Sequence, residues 1–94
     1  MEPSPHQDID ALVINPSDNI AVCLKDVQKG TSLRVKRNGE VFSITAAENI
    51  ECGHKIALQN IANGSPIIKY SEHIGKSTAD IEKGSHVHIH NMTD

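Results

Sequence analysis

A five-residue pattern recurs four times in this chain: Asp or Asn, a β-branched aliphatic, two variable residues, then Gly. It stands as Asp26-Val27-Gln28-Lys29-Gly30, Asn49-Ile50-Glu51-Cys52-Gly53, Asn60-Ile61-Ala62-Asn63-Gly64 and Asp80-Ile81-Glu82-Lys83-Gly84. An Asx side chain can bond a backbone amide two residues on, the aliphatic anchors the corner in a core, and Gly accepts a positive φ. Each copy is followed within a few residues by a short apolar run. Corners of this kind predict a small sheet folded repeatedly on itself. Their uneven spacing rules out a solenoid.

The segments between corners read as strands. Leu12-Val13-Ile14 is stopped by Asn15-Pro16-Ser17-Asp18, and Ile20 to Leu24 follows. Leu33 to Lys36 and Val41 to Ile44 flank Arg37-Asn38-Gly39-Glu40, where Asn-Gly suits a type I′ hairpin turn. Ile56-Ala57-Leu58, Ile67 to Tyr70 and Val87 to His90 complete the set. Twelve Ile and six Val against four Leu favour strands, since β-branched side chains suit a pleated surface. No segment sustains a helical period over three turns, and residues 45–50 allow one helical turn at most. The expectation is one all-β domain over residues 11–94, preceded by a polar, Pro-bearing disordered tail at 1–10.

Composition excludes several function classes. A formal charge of −3, with no basic block, argues against nucleic acid. No run could span a bilayer and no basic-then-apolar leader opens the chain, which makes a cytoplasmic protein the default expectation. Cys23 and Cys52 match no zinc or redox spacing and read as reduced thiols filling core volume. Paired carboxylates, a Ser/His/Asp order and a phosphate-binding Gly loop are all absent.

Chemistry concentrates in three places. The run His86-Val87-His88-Ile89-His90-Asn91 reads as a strand with three imidazoles on one face. Neighbouring His residues would lie about 6.6 Å apart, and His86 and His90, at about 13 Å, could hardly share an ion. The candidate pair is therefore His86/His88 or His88/His90, with further ligands from elsewhere; the alternative is an exposed strand edge. Gly53-His54-Lys55 presents two cationic-capable side chains at a strand start, unless it is a plain surface turn with a solvated Lys. Lys69 and Tyr70 end an apolar strand, where Tyr70 could equally be packing with its hydroxyl bonded. His6 and His73 carry no functional reading.

Taken together, the order GHKIAL, a D/N-I-x-x-G corner, IIKY, IGKSTADIEKG and HVHIHN resembles the N-terminal module of altronate dehydratase and its relatives. The resemblance covers residues 11 to 92. That module is similar to the SAF domain, whose fold is a β-clip. Relatives include galactarate dehydratase and the two-subunit sulfolactate sulfo-lyase. The module occurs either fused to a large catalytic domain or as a separate small subunit. One departure stands out: the family's Tyr-Gly after the Lys is Tyr70-Ser71 here.

The resemblance implies a small subunit, or N-terminal module, of a sugar-acid dehydratase that removes water from D-altronate to give 2-dehydro-3-deoxy-D-gluconate. It implies a large catalytic subunit as partner, and a divalent metal, iron or manganese, shared with or held by that subunit. His88 and His90 would face metal, and His54, Lys55, Lys69 and Tyr70 the substrate. With no acid/base carboxylate set, the chain alone should be inactive; a homo-oligomer is compatible with all of this. The alternatives are the small (alpha) subunit of a sulfolactate sulfo-lyase and a non-catalytic SAF-type ligand- or metal-binding module.

Overall fold

A computed structural model describes residues 9–88 and 90–93. Among the described residues nine strands run in chain order: β1 (Ala11–Val13), β2 (Ile20–Cys23), β3 (Ser32–Arg37), β4 (Glu40–Thr45), β5 (Lys55–Ala57), β6 (Pro66–Lys69), β7 (Glu72–Ser77), β8 (His86–Val87) and β9 (Met92–Thr93). There is no helix among the described residues, hence none long and apolar enough to cross a membrane. Six strands form one sheet in the order β4-β3-β1-β2-β5-β8, and three form another in the order β6-β7-β9. All pairings are antiparallel except β1 with β3. The body is long and thin, 48 × 26 × 18 Å. The all-β expectation holds.

Turn chemistry explains the hairpins. Asn38 and Gly39 both adopt positive φ, 49° and 86°, as a type I′ turn between β3 and β4 requires. The β6–β7 turn does the same with Tyr70 (56°) and Ser71 (66°), neither of them Gly. The nearly buried Asp18 carboxylate holds that turn, accepting from the Tyr70 amide at 3.0 Å and the Ser71 amide at 2.8 Å. Charge-assisted bonds of this kind offset the steric cost of the left-handed backbone. β7 itself was not foreseen, because Glu72-His73-Ile74-Gly75-Lys76-Ser77 carries a single aliphatic. Its burial is supplied by Gly75 and Ser77, and a Cβ on Gly75 would strike the Thr93 carbonyl of β9.

The four corners act in pairs rather than singly. Val27 and Ile50 exchange backbone bonds at 2.8 Å in both directions, and Ile61 and Ile81 do likewise. Each Asx caps its partner's corner: Asn49 accepts from the Lys29 amide, Asp26 from Cys52, Asp80 from Asn63 and Asn60 from Lys83, at 2.8–2.9 Å. The bond expected within each corner is thus made across the pair. All four corner aliphatics are buried. The pairs are the folds of the clip, and they tie segments distant in sequence.

Two cores result. Leu33, Val35, Ile44, Ile50, Ile56 and Cys23 belong to the larger. Ile20, Ala57, Ile61, Ile67, Ile81 and Val87 form the smaller, with Ile74 and Met92 against it. Successive residues Ile56 and Ala57 enter different cores, so β5 is buried on both faces and fixed in register. Cys23 fills core volume as expected, whereas Cys52 is exposed. Asp10 is tied to the sheet, its amide donating to Arg34 O and its carbonyl accepting from Leu24, both at 2.8 Å. Of the tail expected at residues 1–10, residues 1–8 lie outside the described residues.

Candidate metal and anion site

The site starts from the pairing of β5 with β8, in which Lys55 faces Val87 and Ile56 faces His86. Extending that register by one residue sets His54 opposite His88. Opposed and diagonal residues of one face lie within side-chain reach, and alternation puts His54, His86 and His88 on that face. The rings stack: His54 and His88 at 4.2 Å between centroids, His54 and His86 at 5.0 Å, His86 and His88 at 5.4 Å. His54 Nδ1 lies 2.8 Å from His86 Nε2.

The extended reading of residues 86–91 fails after Val87. Asn91 closes a turn there, its Oδ1 accepting from the His88 amide at 2.9 Å and its Nδ2 donating to the His86 carbonyl at 2.8 Å. The Asn91 amide also donates to the His88 carbonyl. An Asx side chain that satisfies both ends of a turn outcompetes a ladder with no further partner strand. The turn brings the His90 ring to 5.0 Å from His86, tilted by 39°, so the wide separation expected of these two does not hold. Ile89 lies outside the described residues.

Electrostatics keep two of the rings neutral. Burial, then the neighbouring His90 and His54, push His86 below its ordinary pKa. His88 is lowered by desolvation, then by His54 and Lys55. Neutral imidazoles expose the lone pairs that metals need. Two carboxylates lie close by: the exposed Glu51 has Oε1 3.7 Å from His54 Nε2, and Glu48 Oε2 accepts from the His86 backbone amide at 2.9 Å.

The lysines form a second group. Lys55 starts on the opposite face of β5 from His54, and burial followed by the charge of Lys69 lowers its pKa. Lys69 Nζ lies 4.9 Å over the ring of Tyr70, itself more than half exposed. The charge of Lys55 also contributes to lowering the pKa of His88, across the strand from the imidazole face. His90 is brought near His86, and the tightest imidazole grouping among the described residues is His54, His86 and His88. His54 is the member that pattern reading set apart from the others. Its one signal was a place at a strand start with the same alternation as the terminal histidines.

The fit to a divalent metal rests on the donor set. His54, His86 and His88 offer ring nitrogens all within 4.8 Å of one another. Nδ1 of His88 is buried without a hydrogen-bond partner. Buried polar atoms are rarely left so.

Fold and site together define a small all-β module that presents a cluster of three histidines. The chain belongs to the altronate/galactarate dehydratase SAF domain family, whose model matches residues 9–94. It is similar to altronate dehydratase of Bacillus subtilis (strain 168), 41% identical over 78 residues, and of Escherichia coli (strain K12), 42% identical over 78 residues. Each match covers 83% of this chain but 15% of the relative. The subunit alpha of (2R)-sulfolactate sulfo-lyase from Paracoccus pantotrophus is 50% identical over 50 residues, covering 53% of this chain and 75% of that subunit.

Proposed function

We propose that this chain is the small subunit, or N-terminal module, of a sugar-acid dehydratase acting on D-altronate with a large catalytic subunit. The observation that carries the reading is the three-imidazole cluster in a member of this family. Two ammonium groups match the carboxylate of a sugar acid, and their mutual repulsion leaves them seeking an anion. A divalent ion at the imidazoles would supply Lewis-acid polarisation of the acid's oxygens. Glu51 lies beside the His54 ring, Glu48 holds the His86 backbone amide, and Asp18 fixes the turn that carries Lys69 and Tyr70. The large subunit provides the base and acid for α-proton removal and hydroxyl loss.

The test is reconstitution. The 94-residue chain and a large dehydratase subunit, each inactive alone, should together form keto acid from D-altronate with ferrous or manganous ion. Lys55→Ala and Lys69→Ala should raise KM more than they lower kcat, as loss of substrate binding does. Turnover by this chain alone, or none by the pair, would overturn the reading. A second reading has its own support, since the Paracoccus relative is a small separate subunit. Sulfite release from (2R)-sulfolactate in the same reconstitution would select it.

A further inference from the structure

The four clustered histidines are not equivalent. His54, His86 and His88 converge ring nitrogen to ring nitrogen, whereas His90 is exposed, tilted and outside that group. We infer that His54 Nδ1, His86 Nε2 and His88 Nδ1 form one three-nitrogen site for a divalent transition-metal ion, oriented by Glu51 and independent of His90. This deepens the dehydratase reading, since it names which residues of the wall take the metal and which metals they favour.

Geometry supports the ligand atoms. Two nitrogens each about 2.0–2.1 Å from a tetrahedral ion stand about 3.3 Å apart. The His54–His86 nitrogens, at 2.8 Å, need to open slightly; the widest spacing in the trio, up to 4.8 Å, needs to close by about 1.5 Å. Because each lone pair lies in its ring plane and the three rings are nearly parallel, the rings must also turn toward one another to aim at a single ion. The contact between His54 Nδ1 and His86 Nε2 holds one proton between them in the metal-free protein. An ion on both nitrogens requires that proton elsewhere, and His54 Nε2 is the ring position that faces a carboxylate, Glu51. Glu51 is thus a positioning residue, selecting the tautomer that frees Nδ1.

The donor set also fixes the class of ion. Three imidazole nitrogens and no carboxylate suit Fe²⁺, Co²⁺, Ni²⁺ and Zn²⁺, bind Mn²⁺ more weakly, and leave Mg²⁺ in water. With no anionic ligand, the bound ion keeps its full positive charge, which favours an anionic oxygen ligand at its open position.

The experiment uses the full 94-residue chain without a large subunit, titrated with Co²⁺ followed by its visible d–d bands, and with Zn²⁺ by competition. One ion per chain should bind, with Mn²⁺ at least tenfold weaker than Co²⁺ and Mg²⁺ not competing. His54→Ala, His86→Ala and His88→Ala should each weaken binding at least 100-fold, and Glu51→Gln by about tenfold. His90→Ala should stay within threefold. On the unmodified chain, ¹⁵N-detected imidazole NMR should show Zn²⁺ shifting Nδ1 of His54 with its proton on Nε2, a readout that survives a misfolded variant. No saturable one-to-one binding overturns the site. So does equal loss in His86→Ala, His88→Ala and His90→Ala with none in His54→Ala, the mark of adventitious chelation by the terminal run. Metal binding that stands while reconstituted enzyme fails on D-altronate would retire the dehydratase reading and leave the site.

Discussion

Gly84 and Gly64 occupy the same place in two paired corners, with φ of +90° and +87°, yet their surroundings differ. A Cβ on Gly64 meets nothing within 4 Å, while one on Gly84 would collide with the backbone carbonyl of Thr45 and lie 3.4 Å from Ala47 N. Alanine at either site incurs the left-handed backbone cost, about 1–2 kcal/mol. At Gly84 the collision is with backbone, so relief must displace the corner from β5 and from the 45–48 segment. That endangers the bonds Gly84 N to Ala57 O and Ala47 N to Gly84 O, both 2.9 Å, each worth about 1 kcal/mol. The expected losses are about 1–2 kcal/mol for Gly64→Ala and about 3–5 kcal/mol for Gly84→Ala. In a domain of this size each kcal/mol moves Tm by about 4–8 °C, so the two endangered bonds should separate the variants by about 8–16 °C. Urea titration with a shared m-value, beside thermal melts, measures both. Losses equal within about 0.5 kcal/mol would refute the claim that steric closure at Thr45 distinguishes the corners.

Three further outcomes follow from the same geometry. Ser71→Gly should stabilise the chain by about 0.5–1 kcal/mol, because Ser71 holds φ 66° in the β6–β7 turn; an unchanged or lowered urea midpoint would count against strain there. Asn49→Ala and Asp80→Ala should each cost about 1 kcal/mol by freeing a partner corner's amide, seen as faster hydrogen exchange at Lys29 and Asn63 respectively; faster exchange confined to the mutated corner would contradict cross-pair capping. Cys52 should react promptly with a thiol reagent and Cys23 only on unfolding, since burial, then Cys52 and Asp10, raise Cys23 from 9.0 to about 11. The unfolded thiol then ionises before the folded one, so this contribution to stability is intact below about pH 9 and is lost as pH rises toward 11, by about 2–3 kcal/mol. Cys23→Ala should flatten that alkaline decline, and an equally steep decline would show that another group causes it.

Local rules settled much of this protein in advance. Asn38-Gly39 dictates its own hairpin because only that backbone geometry matches the strand twist. The Ile/Val runs specify strands, the Asx-to-Gly pattern specifies corners, and the joined motifs specify the SAF family. These features depend on residues within a few positions of one another, which is what a sequence displays directly. The site depends on contacts that it does not display. His54 faces His88 because β5 and β8 pair in one register, and that register is set by Ile56 and Ala57 being buried in two different cores. A slip of one residue would turn every one of these side chains to the other face. The terminal histidines gather because Asn91 closes a turn after Val87, where alternation alone predicts a longer strand. The corners cap one another across the chain because their aliphatics are buried side by side. Local chemistry chose the pieces; burial on both faces of β5 decided which imidazoles meet.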